Sequence, residues 1–158
     1  MIFYLKIIFL LIILISFSAF SSVLDPGVKG LKPPMGIDTD KNGVRDDLQF
    51  WIDEIFTGQN EKLGSLQLAR AILKSMIDYK DKNKTILNTQ NIFKAQNCLL
   101  SIYEKDVALK NIKNIHSRMI NTRDRKIIQE RLDSHLKNHT FEAIQANEKD
   151  CDFKKLGS

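Results

Sequence analysis

Apolar residues recur at helical spacing along most of the chain, starting at position 48. The first stripe consists of Leu48, Trp51, Ile52, Ile55 and Phe56. The second consists of Ala69, Ile72, Leu73, Met76 and Ile77, with charged residues on the opposite face. Spacings of three and four residues are typical of amphipathic helices. They predict one helix that ends near Gly58 and a second over roughly residues 62–82.

Three further stripes lie in the C-terminal half. The third consists of Ile92, Ala95, Leu99, Ile102 and Tyr103, the fourth of Ala108, Ile112, Ile115 and Met119, and the fifth of Ile128, Leu132 and Leu136. We expect Thr89, Asp106 and Thr122 to cap these helices, because hydroxyl and carboxylate side chains accept from free main-chain N–H groups. No segment alternates at period two for long. The sequence therefore predicts an all-α fold, a single bundle of about five helices.

The first 21 residues have the pattern of a signal peptide. One basic residue, Lys6, precedes an apolar run, and Ala19-x-Ser21 has the small residues that signal peptidase requires. We expect cleavage before Ser22, giving a periplasmic or secreted protein without stable membrane insertion. The alternative is an uncleaved anchor, since residues 3–20 approach the roughly 18–20 residues that span a bilayer.

The remainder of about 137 residues suits one domain with a substantial core. Residues 22–36 are rich in proline and glycine, which predicts an extended lead-in to a helical domain over residues 37–158. Cys98 and Cys151 are the only cysteines. Because exported thiols are oxidised, we predict a disulfide between them. The stretch from residue 140 is polar and weakly patterned, so this bridge is its predicted anchor.

Oxygen-bearing side chains alternate in the stretch before the first helix. In the order of an EF-hand loop, positions 1, 3, 5, 7, 9 and 12 are Asp38, Asp40, Asn42, Val44, Asp46 and Gln49. Position 6, where such loops turn sharply, is Gly43. Calcium prefers six to eight oxygens, which this spacing offers from side chains and the carbonyl at position 7. The stretch therefore predicts a structural Ca²⁺ site.

This stretch resembles the short acidic calcium loops of thrombospondin type 3 repeats, dockerins, and bacterial toxin and outer-membrane linker modules, D-x-D-x-[DN]-G-x-x-D. It also resembles the opening GID-x-D-x-[DN]-G-V-R-D-D-x-Q of a group of small exported bacterial proteins. The resemblance covers about a dozen residues. It implies metal binding and nothing about the helices.

The loop departs from the pattern at position 12, where a neutral Gln49 replaces an acid. This change, together with the positive charges of Lys41 and Arg45, lowers the expected affinity. Asp53 and Glu54 on the following helix are the nearest substitutes for the acid. The alternative without an ion is an Asx-type turn, with Asp46 stabilising the helix start.

Other patterns carry less information. His135 and His139 have the spacing of two zinc ligands, but without a third ligand we expect solvated side chains, and His116 is expected to border the core. The chain has a net charge of +5, with a basic cluster consisting of Lys110, Lys113, Arg118, Arg123, Arg125 and Lys126. Interspersed acids and the expected export argue against nucleic acid as a partner.

No nucleophile elbow or phosphate loop occurs in the sequence. We therefore expect a non-enzymatic, exported calcium-binding protein that acts by binding a protein partner, which the sequence does not identify. A periplasmic inhibitor or immunity protein is an alternative of similar size and helicity. A small secreted hydrolase stays open as well, since paired carboxylates are brought together in space rather than in sequence.

Overall fold

The computed structural model describes residues 35–153, which form five α-helices and no strand. The helices are α1 (Asp46–Ile55), α2 (Gln59–Ile77), α3 (Lys82–Ile102), α4 (Lys105–Met119) and α5 (Arg123–Leu136), followed by a 3₁₀ turn, Glu148–Asp150. The predicted all-α fold is confirmed. The predicted signal peptide and all but the last two residues of the predicted lead-in lie outside the described range. Of the helices described, none is both long and apolar enough to cross a membrane.

The core is built from one stripe of each helix, with α2 and α3 as the most extensive pair. Its least exposed large side chains are Leu48, Ile52, Leu68, Ile72, Met76, Leu99, Ile115 and Met119. Two residues of the predicted stripes are exposed, Ile55 at 57% and Ile77 at 53%. Each is the last residue of its helix.

The predicted start of α3 is wrong by seven residues. The helix begins at Lys82, and the Asp81 carboxylate caps it by accepting from the main-chain N–H groups of Asn83 and Lys84 at 3.0 and 3.1 Å. Thr89 lies inside the helix, where its hydroxyl donates to the Thr85 carbonyl. The first turns of α3 carry mainly polar residues, so the apolar stripe begins later than the helix. α2 ends at Ile77, the last residue of its apolar stripe and before the predicted boundary near residue 82.

The other helix starts differ less from the predictions. α2 begins at Gln59, after Gly58, whose N–H donates to the Glu61 carboxylate at 3.1 Å. The N-cap residue of α4 is Glu104. The predicted cap, Asp106, lies instead in the first turn, where the helix dipole stabilises its negative charge. Thr122 caps α5 as predicted, accepting from the main-chain N–H of residue 125 at 3.4 Å.

The predicted disulfide is present, and it joins α3 to the C-terminal segment. The Cα atoms of Cys98 and Cys151 are 4.9 Å apart. The bridge is not the only anchor of this segment, because the side chains of Asn97 and Gln67 also hold it. The Asn97 amide accepts from the Gln145 N–H and donates to the Asp150 carboxylate, both at 2.8 Å. Amide side chains within the helices thus dock a segment that has no apolar stripe of its own.

Candidate metal site

The loop before α1 has a conformation that its glycines permit. Gly36 and Gly43 have φ angles of 77° and 81°, and Lys41 has a φ angle of 57°. These values lie in the left-handed region, which glycine enters without steric cost. The N–H of Asp46 donates to the carbonyl of Ile37 at 2.8 Å, which closes the loop onto the first turn of α1.

Three carboxylates of the predicted site converge in this loop. One oxygen from each of Asp38, Asp40 and Asp46 lies within 4.8 Å of the others. Asp40 is exposed, Asp38 is half-buried and Asp46 is buried. Two oxygens that bind one calcium ion at 2.3–2.6 Å lie at most about 5.2 Å apart. The spacing of the three oxygens therefore fits one ion.

Main-chain N–H groups of the loop already hold the Asp38 carboxylate. Its two oxygens accept from Asn42 at 3.1 Å and from Gly43 at 2.9 Å. The Asx turn of the alternative prediction lies at Asp40, which accepts from the main-chain N–H of Asn42 at 3.2 Å. The bonds to Asp38 do not compete with a metal, because an ionised carboxylate has about four lone-pair sites and these bonds use two. The hydrogen bonds orient Asp38 and leave it able to bind a cation.

Asp46 is held by a different partner. Its oxygens accept from the main-chain N–H of Thr39 at 2.9 Å and from the Thr39 hydroxyl at 2.6 Å. This pair fastens the beginning of the loop to the start of α1. Position 9 of an EF-hand loop often reaches its ion through a water molecule. The geometry suits such an indirect contribution from Asp46.

The remaining predicted side-chain ligands, Asn42 and Gln49, are hydrogen-bonded to each other. The Asn42 amide donates to the Asp40 carboxylate at 2.9 Å and to the Gln49 side-chain oxygen, while its own oxygen accepts from the N–H of Val44 at 2.8 Å. Val44 is 1% exposed, with its side chain in the core. The Asn42 amide must rotate before its oxygen faces Asp40. Gln49 lies close enough to the loop to join it through Asn42.

The predicted substitutes for the acid at position 12 do not lie with the other carboxylates. The acidic cluster among residues 35–153 contains neither Asp53 nor Glu54. Asp53 lies 3.7 Å from the ammonium group of Lys62 on α2. The side chain of Glu54 is exposed.

Arg45 has a role that the sequence analysis missed. Its guanidinium binds both oxygens of Asp47, at 2.9 and 2.6 Å, and donates to the carbonyls of Arg118 and Met119 at the end of α4. The expected lowering of calcium affinity by Arg45 stays a prediction, although its guanidinium pairs with Asp47. The signal in the sequence is the Arg-x-Asp spacing at a helix start, where arginine is an uncommon cap. Arg45 ties the loop to α4.

Arg70 on α2 contacts the other side of the loop. A Cβ atom on Gly43 would lie 3.4 Å from the Arg70 Cγ. The guanidinium of Arg70 pairs with Asp152 at 3.0 Å, next to the disulfide. Arg70 thus packs against both the candidate metal loop and the C-terminal segment.

The histidines form no comparable site. Within the described range, no group of three metal-binding side chains includes a histidine. His135 lies 3.3 Å from the Thr85 hydroxyl, and the ring of His139 lies against Phe141. Burial lowers the pKa of His116, and the charge of Asp133 partly offsets this effect. His116 borders the core, as predicted.

The basic cluster of the C-terminal half is divided by the fold. Arg125 is 0% exposed, so it contributes no charge to the surface. Burial, with the nearby charge of Arg45, lowers the pKa of Arg125 to about 10. The remaining cluster residues are exposed, and the guanidinium carbon of Arg118 lies 4.3 Å from the Trp51 ring centroid.

The fold and the loop define a disulfide-bridged helical bundle with an acidic cluster close enough to hold a metal ion. Comparison with known proteins finds no matching family model, no similar curated protein and no similar solved structure.

Proposed function

We propose that the protein is an exported, non-enzymatic helical protein that binds calcium in the loop of residues 38–49 and acts by binding another protein. The observation that carries the calcium proposal is the convergence of Asp38, Asp40 and Asp46 within 4.8 Å. None of these carboxylates pairs with a lysine or arginine of the described residues. Their mutual repulsion is relieved by a divalent cation, and hard oxygen ligands favour calcium or magnesium.

Calcium fits this loop better than magnesium. Magnesium requires near-ideal octahedral geometry at about 2.0–2.1 Å, whereas calcium accepts irregular oxygen sets at longer distances. Three oxygens spread over 4.8 Å, completed by water and a loop carbonyl, form an irregular set. An exported protein meets calcium at concentrations where dissociation constants of about 10⁻⁴–10⁻³ M are sufficient.

The surroundings of His116 give no support to the hydrolase alternative at that residue. A cavity of about 220 Å³ beside this residue is lined by aliphatic, aromatic and uncharged polar side chains and by no carboxylate. A hydrolase of the glycosidase type needs two carboxylates facing its substrate. The disulfide supports export, since such bonds persist in oxidising compartments. A periplasmic inhibitor or immunity protein is a specific form of the same function.

Calcium titration of the purified protein tests the metal site. An ion that binds only the folded state adds RT ln(1 + [Ca]/Kd) to stability, which is about 2.7 kcal/mol at 10 mM calcium and a Kd of about 10⁻⁴ M. Asp40→Ala should abolish this gain without unfolding the bundle, because the core does not include Asp40. Glu130→Ala removes an exposed acid on α5 and serves as the control. Identical melting curves in chelator and in 10 mM calcium would mean that the loop is an Asx turn that binds no calcium.

The Gln49→Glu substitution tests the same site in the opposite direction, because it should strengthen calcium binding. The Gln49 side-chain oxygen already accepts from Asn42, and glutamate keeps this acceptor while adding a charged oxygen. We expect tighter calcium binding in this variant, measured by calorimetry, with magnesium as the comparison ion. N-terminal sequencing of the natural product, expected to start near Ser22, tests export separately.

A further inference from the structure

A cavity of about 220 Å³ lies between four helices on the side of the bundle that includes His116. Its apolar wall consists of Ile72, Ile92, Phe93, Leu132 and Leu136, from α2, α3 and α5. Its polar lining consists of Ser75, Thr89, Gln96, His116 and Gln129. An apolar cavity of about 150 Å³ is large enough to admit benzene. The cavity therefore has room for a molecule of about one ring.

Ser75 is a buried polar residue of this cavity without a protein partner. It is 2% exposed, and its hydroxyl oxygen is not completely buried, because the completely buried oxygens without a partner in the described range are those of Ser65 and Tyr103. Ser101 and Ser134, in contrast, each donate to a carbonyl of their own helix at 2.7 Å. A hydroxyl that opens onto the cavity can form a hydrogen bond with a polar group of a ligand there.

The polar groups near Ser75 suit an uncharged ligand. No lysine, arginine, aspartate or glutamate lines the cavity. Burial lowers the pKa of His116, so its imidazole is neutral at pH 7 and offers one donor and one acceptor. A charged ligand would lose its hydration without gaining a counter-charge.

The cavity also has an entrance. Gln96, His116, Gln129 and Leu136 are half-buried, so the cavity is reached from solvent between α3, α4 and α5. Gln129 is held aside by its bond to Asp133 at 2.7 Å. A small molecule can enter without separation of the helices.

We propose that this cavity binds a small, uncharged, mainly apolar molecule of about one ring, with one hydrogen-bonding group directed at Ser75. The site is separate from the calcium loop, and the inference does not depend on calcium. Phenol is a suitable probe because it combines one ring with one hydroxyl. Benzene is the matched probe without the hydroxyl.

The test compares both probes in the wild type and three variants by NMR titration. Phenol should bind the wild type more tightly than benzene does, and Ser75→Ala should weaken phenol binding by about fivefold, which corresponds to a hydrogen bond of about 1 kcal/mol. Benzene binding should change less than twofold. Ser65→Ala is the control, because Ser65 is a buried serine of the same helix, 0% exposed and without a hydrogen-bond partner, that does not line the cavity.

Ser75→Leu fills the cavity and should remove the binding of both probes. If this variant fails to fold, judged by circular dichroism, the comparison of Ser75→Ala with Ser65→Ala carries the test alone. Failure of both probes to cause shifts around the cavity would overturn the proposal. Equal weakening of phenol binding in the two alanine variants, or equal affinities of phenol and benzene for the wild type, would overturn it as well.

Discussion

Replacing Arg45 by methionine tests whether this residue fastens the candidate metal loop to the bundle. The Arg45 side chain is 0% exposed and binds Asp47, and it donates to the carbonyls of Arg118 and Met119 at 3.3 and 3.1 Å. Methionine retains an unbranched apolar stem of similar length. The substitution therefore removes the hydrogen bonds and the charge with limited loss of packing.

The expected cost follows from the state of the groups left behind. Breaking a buried ion pair by removing one partner costs about 3–5 kcal/mol, because the other charge stays buried. The Asp47 side chain is 17% exposed, so water partly reaches it and the cost falls towards the lower end. We expect Arg45→Met to lower the free energy of unfolding by about 3 kcal/mol. For a chain of this size that corresponds to a decrease in Tm of roughly 10 °C.

Urea unfolding followed by circular dichroism measures this cost, with chelator present to exclude any calcium effect. Asp47→Asn and the double variant complete a double-mutant cycle, in which the coupling energy should exceed about 1 kcal/mol. Arg131→Met removes an exposed arginine of α5 and should cost less than about 0.5 kcal/mol. A cost below about 1 kcal/mol for Arg45→Met, or additive single variants, would refute the role assigned to Arg45.

Two further predictions concern the disulfide and His116. The purified protein should show no free thiol by mass spectrometry, and Cys98→Ala with Cys151→Ala should cost about 4 kcal/mol, given the 53-residue separation; alkylation without reduction would contradict the bridge. Stability should fall as the pH drops below 6.5, because the unfolded chain takes up a proton at His116 more readily than the folded chain, whose His116 pKa is lowered. His116→Gln should remove part of this fall, and an unchanged pH profile would contradict it.

The helices were predictable from the sequence because each buries a continuous apolar stripe. The helix boundaries were less predictable where polar residues extend a helix beyond its apolar stripe. The first turns of α3 depend on the Asp81 cap and on buried polar residues such as Asn88, which donates to the Asp78 carboxylate at 2.9 Å. Periodicity of apolar residues does not detect such turns, since tertiary hydrogen bonds rather than hydrophobic burial stabilise them.

For the candidate site, the convergence of the acidic side chains was predictable from the sequence, but the binding partners of the neighbouring Arg45 were not. Alternate spacing around Gly43 brings Asp38 and Asp40 together because the turn is local. The position of Arg45 depends on α4, which is more than seventy residues further along the chain. The carbonyls that it binds on α4 are therefore tertiary partners, whereas its ion-pair partner, Asp47, is only two residues away.

Hydrogen bonds and packing shape the loop independently of an ion. Asp46 binds Thr39 and Ile37, Arg45 holds α4, and Gly43 packs against Arg70. A metal that binds a preformed loop does not have to supply the free energy of ordering it. That advantage offsets the missing acid at position 12, which otherwise lowers affinity. Calcium at the proposed site would therefore add to the stability of a bundle that folds through its own core, rather than induce its folding.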